Sequence, residues 1–562
     1  MSESIKINLM HFKENFDTRK KNLIAIISII VVTVLLISLM FPLKNQTAGD
    51  DYAYAYSVKK SIETGRLYLS EATTAALVFP VLWAILFSSF LGFSFKTLHI
   101  SVVFFLPIIA ITTYFLLKQF KLKPHLAFFA SLFFISVPFI FQYAFTFLTD
   151  IPFLTLELLV LLFFVRGLKA DKKGDLFLGS IFSALAFLTR QLGLLLPLSV
   201  LAAYIVTSRI NIISRKYLSI LAISVLPALT VILYILVFRE GTVNQYIYGK
   251  RVSETIHSLL FARSASVGLE AWSRIIYVAL EYFWQALGLF SLFAITVIAS
   301  NFKRYLSKKA IKSLMLALIV FIGLVLLEKI VYMEKTYLGF PLVLYRYESL
   351  FPVPWPHIWK YLVMISFLFV TTESLLNLKN LKFTRTAIFL LTSFLLFLGM
   401  SAIAIPSHKK YVMSLLPFFL IYICLLSKKL KISGLVAIPV LLFVLIDSLQ
   451  MTKLRYDTNA LAQQKGLEIV GRGIDIDRVL PNLEYTWSLW YTVEDKYAQE
   501  LKKAGGDKLT VTYPVTPANQ DYLIISKENI KYGNLPQKYL FIENSPFTSL
   551  FVSSYLLTIK KL

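Results

Sequence analysis

Apolar residues along this chain come in blocks of about 20, the length a helix needs to cross a bilayer, rather than in stripes on one helix face. The blocks lie near 23–43, 98–117, 126–145, 152–168, 177–190, 192–208, 217–237, 273–300, 314–332, 358–376, 386–405, 411–427 and 433–449. This pattern predicts an all-α polytopic membrane protein of about thirteen transmembrane helices. One further block, 77–93 ("LVFPVLWAILFSSFLGF"), is short, with Pro80 near its start and Gly92 near its end. It predicts a juxtamembrane helix lying at the interface rather than a span.

The links between blocks set the sides of the membrane, because cytoplasmic loops carry the excess of Lys and Arg. With a cytoplasmic N-terminus the inner links are "KQFKLKPH", "RGLKADKK", "SRINIISRK", "NFKRYLSKKAIK", "LNLKNLKFTR" and "SKKLK", all of them basic. Counting 77–93 as a span would put these links outside. The outer loops then hold the stretch about 44–97, "FLTD" ending at Asp150, "LTRQLG", "FREG" and "IPSHKKY". Beyond the last block the chain turns polar, with strand-like "KLTVTYP", "DYLIIS" and "KYLFIEN" and a predicted helix near 493–504. The expected partition is a membrane domain over 1–450 and a small extracytoplasmic mixed α/β domain over 451–562.

Composition narrows the class. Hydrophobic residues make up 57% and charged ones 16%, and the net charge of +25 sits mostly in short inter-block links, where topology rather than nucleic acid accounts for it. The one cysteine, Cys424, lies inside an apolar block, so neither a disulfide framework nor a cysteine-rich metal site is expected. The first block is too long for a signal-peptide core and is read as a retained span. The setting expected is a plasma membrane.

Candidate chemistry gathers on the outer side. Just before "AGDDYAYAYSVKKSIETGRLYL", Thr47 resembles the first half of a capping box, placing Asp50 and Asp51 in the first turn of a helix running towards Gly65. Adjacent helix positions point about 100° apart, so one carboxylate can face a substrate while the other caps the helix or steadies a neighbour. Asp150 precedes Ile151-Pro152 and also reads as a helix N-terminus. Asp50, Asp51 and Asp150 nevertheless reach the same interface from different spans, which capping does not require. Arg190 interrupts an apolar stretch, so it either snorkels to the interface or has a partner there. His408, Lys409, Lys410 and Tyr411 lie on the outer side, the lysines placing cations there against the charge rule, with Arg239 and Arg346 weaker candidates on that side.

Carboxylates to take a proton and fixed cations to hold an anion fit group transfer from a phosphate-linked lipid. A carboxylate can deprotonate an acceptor hydroxyl as it attacks a sugar carbon, while Arg or Lys stabilises the departing phosphate. A single displacement of this kind inverts the anomeric configuration. A membrane transporter or lipid flippase is the alternative; it would place charges at the midplane beside discontinuous, repeated helices.

The chain resembles the GT-C superfamily of integral-membrane glycosyltransferases, particularly protein O-mannosyltransferases and the aminoarabinose transferase of lipid A. The resemblance rests on "DDYAYA" (50–55), Gly65-Arg66, Thr149-Asp150 with Pro152, "AFLTR" (186–190) and "KKYVMSLLP" (409–417). It implies a polyprenyl-phosphate-sugar donor, an inverting mechanism, and a protein, lipid or glycan acceptor. It also implies Asp50 as the catalytic carboxylate with Asp51 its neighbour, Asp150 as the acid that shapes the site, and Tyr54 as a site-lining aromatic. Arg190 and Lys409 or Lys410 would be phosphate or acceptor contacts. One departure stands out: Phe79-Pro80 occupies the place of a lysine-proline pair of the aminoarabinose transferases, leaving Arg66, Lys59 and Lys60 as substitutes. No ligand cluster shows in the spacing, and the resemblance leaves a divalent metal open.

Overall fold

The computed structural model describes residues 3–41, 43–44, 51–70, 73–207, 215–238, 250, 253–254, 256–257, 265–331, 355–377, 384–404, 409–472, 479–480, 522–526, 539–549 and 552–561. Helices dominate, as they must where hydrocarbon offers the backbone no partner and each N–H and C=O has to be satisfied within its own segment. They are α1 (Glu3–Ser38), α2 (Asp51–Thr64), α3 (Val78–Leu91), α4 (Phe95–Val103), α5 (Phe105–Gln119), α6 (Pro124–Ile135), α7 (Pro138–Tyr143), α8 (Asp150–Ala170), α9 (Lys173–Phe187) and α10 (Leu195–Thr207). There follow α11 (Arg215–Val237), α12 (Ala265–Leu289), α13 (Ser291–Ser300), α14 (Phe302–Tyr305), α15 (Lys308–Val331), α16 (Trp355–Asn377), α17 (Arg385–Ala404), α18 (Leu416–Leu426) and α19 (Gly434–Gly471). Short 3-10 turns occupy Gln191–Leu194, Lys409–Leu415 and Ser427–Lys429.

Helix is present at each of the thirteen expected positions, but not always as one rod. Pro138 starts a new helix within 126–145, and α12 and α13 meet at a 50° bend. Among the described residues six helices are individually long and apolar enough to span a membrane, or seven with that bent pair as one. The chain is thus a multi-pass membrane protein. The block at 77–93 forms the 14-residue α3, too short to span upright. It buries Val81, Ala84 and Ser88 and exposes Leu82, Leu86 and Phe90.

The packing that matters most is an antiparallel hairpin. Asp171, in the left-handed region at φ 53°, turns α8 back into α9. Gly167 and Gly179 let the two helices close, because a Cβ on either would overlap Leu176 or Phe164 at 2.6 and 2.4 Å. At the end expected to be cytoplasmic, Arg166 pairs with Asp175 at 3.2 Å. Nearby in the same sense, the buried Glu373 carboxylate accepts from Arg304 and from the Tyr305 hydroxyl, both at 2.9 Å. Burial, and then that carboxylate, push the Tyr305 phenol well above its ordinary value.

The terminal region contains a four-stranded sheet of β1 (Val479–Leu480), β2 (Tyr522–Ser526), β3 (Tyr539–Ser549) and β4 (Val552–Lys561), in the order β1-β2-β4-β3. The first pair is parallel and the others antiparallel, with Tyr522 opposite Lys560 and a register shift between Phe541 and Glu543. The described parts of "DYLIIS" and "KYLFIEN", from Tyr522 and from Tyr539 onward, are strands. "KLTVTYP" and the helix expected near 493–504 lie outside the described residues.

Candidate active site

The α8–α9 hairpin returns the chain to the level at which α8 began, which puts Arg190 beside Asp150. Arg190 Nη2 lies 2.9 Å from Asp150 Oδ1, and both side chains are buried. Arg190 Nε donates to Thr149 Oγ1 at 2.8 Å, so the guanidinium grips two successive residues at the start of α8. The contact with Asp150 is ionic rather than an aligned hydrogen bond: neither carboxylate oxygen has a hydrogen-bond donor among the described residues. The Tyr411 ring lies under the guanidinium, 5.5 Å from its carbon, and Tyr54 and Tyr143 bear on the same charge.

Local structure explains how a cation is held there. After α9 ends, Arg190 takes an extended conformation and a 3-10 turn follows. Gly193 then folds back so closely that a Cβ would fall 2.3 Å from Phe187 N, a contact only glycine allows. Ser183 Oγ donates to Gly193 O at 2.9 Å and locks the turn to α9. The segment between α2 and α3 lies along it: Leu77 N donates to Thr189 O, Phe79 N to Leu188 O, and Gln191 Nε2 to Thr74 O at 3.3, 3.1 and 3.0 Å.

Asp51 opens α2 and is fully buried. Its Oδ2 accepts from Phe147 N at 3.0 Å, three residues before Asp150, and lies 3.0 Å from His99 Nε2. The other nitrogen of His99 lies 3.4 Å from the Tyr456 hydroxyl, which donates to Lys44 O at 2.8 Å. One carboxylate thus ties α2, α4, the loop before α8 and, through His99, α19. Gly65, at φ 64°, ends α2 where the sequence predicts.

Of the residues singled out from sequence, Asp150, Arg190, Tyr54 and Tyr411 are gathered around one buried cation, and Asp51 is joined to them through the 147–150 segment. Arg66 is exposed just beyond α2, where its backbone N–H donates to Thr64 Oγ1 at 3.4 Å. Lys59 and Lys60 approach Glu63 at 3.8 and 3.7 Å. Lys409 and Lys410 begin the 3-10 turn that carries Tyr411, and their side chains are not among those described. Asp50, Thr47, Arg239, Arg346 and His408 lie outside the described residues. Sequence reasoning passed over His99, Tyr143 and Tyr456. His99 carried a usable signal, an ionisable residue within an apolar block; the two tyrosines carried none. Among the described residues no group of three or more His, Cys, Asp or Glu could hold a metal.

Residues 75–235 match the family model of dolichyl-phosphate-mannose-protein mannosyltransferases. No curated protein matches. Among solved structures, ArnT from Cupriavidus metallidurans bound to undecaprenyl phosphate is 11% identical, with a TM-score of 0.47 over 94% of this chain and 97% of that one. The oligosaccharyltransferase AglB from Archaeoglobus fulgidus, in complex with an inhibitory peptide and a dolichol-phosphate, is 13% identical, with a TM-score of 0.41 over 89% and 69%. At these values the superpositions establish neither a shared fold nor a shared chemistry. Over 75–235, a stretch that holds Asp150 and Arg190 but not the Asp50-Asp51 pair, the chain carries the sequence pattern of dolichyl-phosphate-mannose-protein mannosyltransferases, in keeping with its resemblance to the GT-C glycosyltransferases.

Proposed function

We propose that the protein is an inverting glycosyltransferase of GT-C architecture that moves a sugar from a polyprenyl-phosphate donor to an acceptor hydroxyl at the outer membrane interface. The observation that carries this reading is the buried Arg190 held by Asp150 and ringed by tyrosines, within the segment that matches the mannosyltransferase family. A fixed guanidinium in a water-poor site stabilises a departing phosphate charge to charge.

In this reaction Asp50 takes the proton of the acceptor hydroxyl as its oxygen attacks the anomeric carbon. The bond from that carbon to the phosphate oxygen breaks, its electron pair leaving with the polyprenyl phosphate. Arg190, with Lys409 or Lys410, meets that phosphate; Tyr54 and Tyr411 line the sugar site. Asp150 sets the position of Arg190. Asp51 steadies the helix that presents Asp50, the division of labour expected of two adjacent acids. Arg66, Arg346 and His408 are further donor or acceptor contacts. The acceptor is a protein, lipid or glycan hydroxyl.

This reading goes with thirteen crossings, a cytoplasmic N-terminus, α3 at the interface and the 451–562 domain outside. One observation favours the transporter reading instead: the bend between α12 and α13, a discontinuous span of the kind transporters use.

The deciding experiment uses purified protein in nanodiscs with a panel of polyprenyl-phosphate sugars, following release of polyprenyl phosphate with and without an acceptor extract. Release from one sugar, lost in Asp50→Asn with unchanged folding, supports the transferase. No release and no binding of polyprenyl phosphate sinks it.

A further inference from the structure

The break between α12 and α13 lines a partly open cavity that the proposed reaction does not use. Its volume is about 40 Å³, room for about three waters or one small ion. Gly288, Leu289, Ser291 and Leu292 of the break line it, with Phe133 from α6 and Asp447 from α19. Asp447 is 7% exposed, and its Oδ1 has no hydrogen-bond partner among the described residues. None of the lining residues is basic.

Depth makes this acid costly. At 1.5 Å per residue, α13 carries the break about 15 Å from its Ser300 end, and Asp447 stands about 20 Å along α19 from Gly434. Both figures fall near the middle of a hydrocarbon layer about 30 Å thick, where an uncompensated carboxylate is strongly disfavoured. A proton would remove the charge, but with the proton on either oxygen Oδ1 would still be a buried polar atom without a partner. A cation removes the charge and takes oxygen ligands directly. The break is where such ligands arise: a helix end leaves carbonyls of its last turn without regular intrahelical donors, and here Phe290 N reaches back three residues to Leu287 O at 3.2 Å rather than four to Ala286 O. The Ser291 hydroxyl stands at the same cavity.

We propose that this cavity binds one small monovalent cation, of the Na⁺ or K⁺ class, between the Asp447 carboxylate, the Ser291 hydroxyl and carbonyl oxygens at the end of α12. One negative charge matches one positive charge, and an all-oxygen donor set suits a hard ion. Ion binding joins the two halves of the broken helix to α19 and so stabilises the folded state. The site stands independently of the transferase reading.

The test is thermal unfolding of the full-length protein in nanodiscs, at matched pH and ionic strength, in sodium, potassium and choline chloride. A cation that binds only the folded state raises the midpoint with its concentration. The expected result is a midpoint at least about 2 °C higher in sodium or potassium than in choline. That difference disappears in Asp447→Asn and shrinks in Ser291→Ala. Identical midpoints in the three salts overturn the proposal, as does an undiminished difference in Asp447→Asn. Should Asp447→Asn not fold, an undiminished difference in Ser291→Ala overturns it equally.

Discussion

Arg190 and Asp150 are 40 residues apart in sequence and 2.9 Å apart in space, an ion pair closed off from solvent at the mouth of the α8–α9 hairpin. Removing one partner leaves the other buried and uncompensated. Asp150→Asn and Arg190→Gln are each expected to cost roughly 3–5 kcal/mol of stability, while the double variant costs much less than their sum. A thermal or denaturant double-mutant cycle measures this; additive losses would show that the pair is not coupled.

The Asp51 carboxylate serves the scaffold, and its loss is read in stability. Asp51→Ala strands Phe147 N and His99, so a loss of at least about 2 kcal/mol is expected, and the double variant with His99→Ala should cost less than the sum of the two because they share one link. Asp50→Asn, by contrast, should leave stability within about 0.5 kcal/mol of wild type and abolish donor turnover. Equal stability losses at the two positions would contradict this division.

Gly193→Ala must move backbone, since the new Cβ would meet Phe187 N and Ala186 C at 2.3 and 2.5 Å. A flexible side chain could yield; these atoms cannot. The variant is expected to lose more than about 2 kcal/mol and to loosen the turn that fixes Arg190. Hydrogen exchange at 186–194 should rise with it, and unchanged protection there would refute the account.

Sidedness can be read by labelling. In a Cys424→Ser background, Glu63→Cys should react with a membrane-impermeant maleimide on intact cells, and Lys172→Cys only after permeabilisation. Both positions are exposed, so accessibility of the side, not burial, decides the outcome. The reverse pattern would invert the topology.

Glu373→Gln tests whether stability and turnover separate. It weakens the links to Arg304 and Tyr305 at the end of the molecule expected to be cytoplasmic, so the midpoint should fall while kcat in the donor-release assay stays within about twofold of wild type. A proportionate fall in kcat at a temperature well below unfolding would speak against that separation.

Much of the helical architecture was legible in the sequence because hydrocarbon imposes one-dimensional rules. A run of about 20 apolar residues needs no long-range partner to become helix. While local capping chemistry and a Gly-Arg pair marked Gly65 as the end of α2, the same rules marked α3 as too short to span. They also showed that Arg190 needed an explanation, since a cation among apolar residues is costly wherever the chain goes. Its partner was another matter. Asp150 becomes that partner only because α8 and α9 fold into an antiparallel hairpin, and hairpin packing depends on side chains that interlock across 40 residues of chain. The link from Asp51 through His99 to Tyr456 spans more than 350 residues and leaves no periodic trace. The bend at Phe290 and the cavity beside Asp447 are likewise products of packing. Local composition determines which segments enter the membrane; which buried charges meet there is decided by tertiary contacts, whose energies depend on distance in space rather than in sequence.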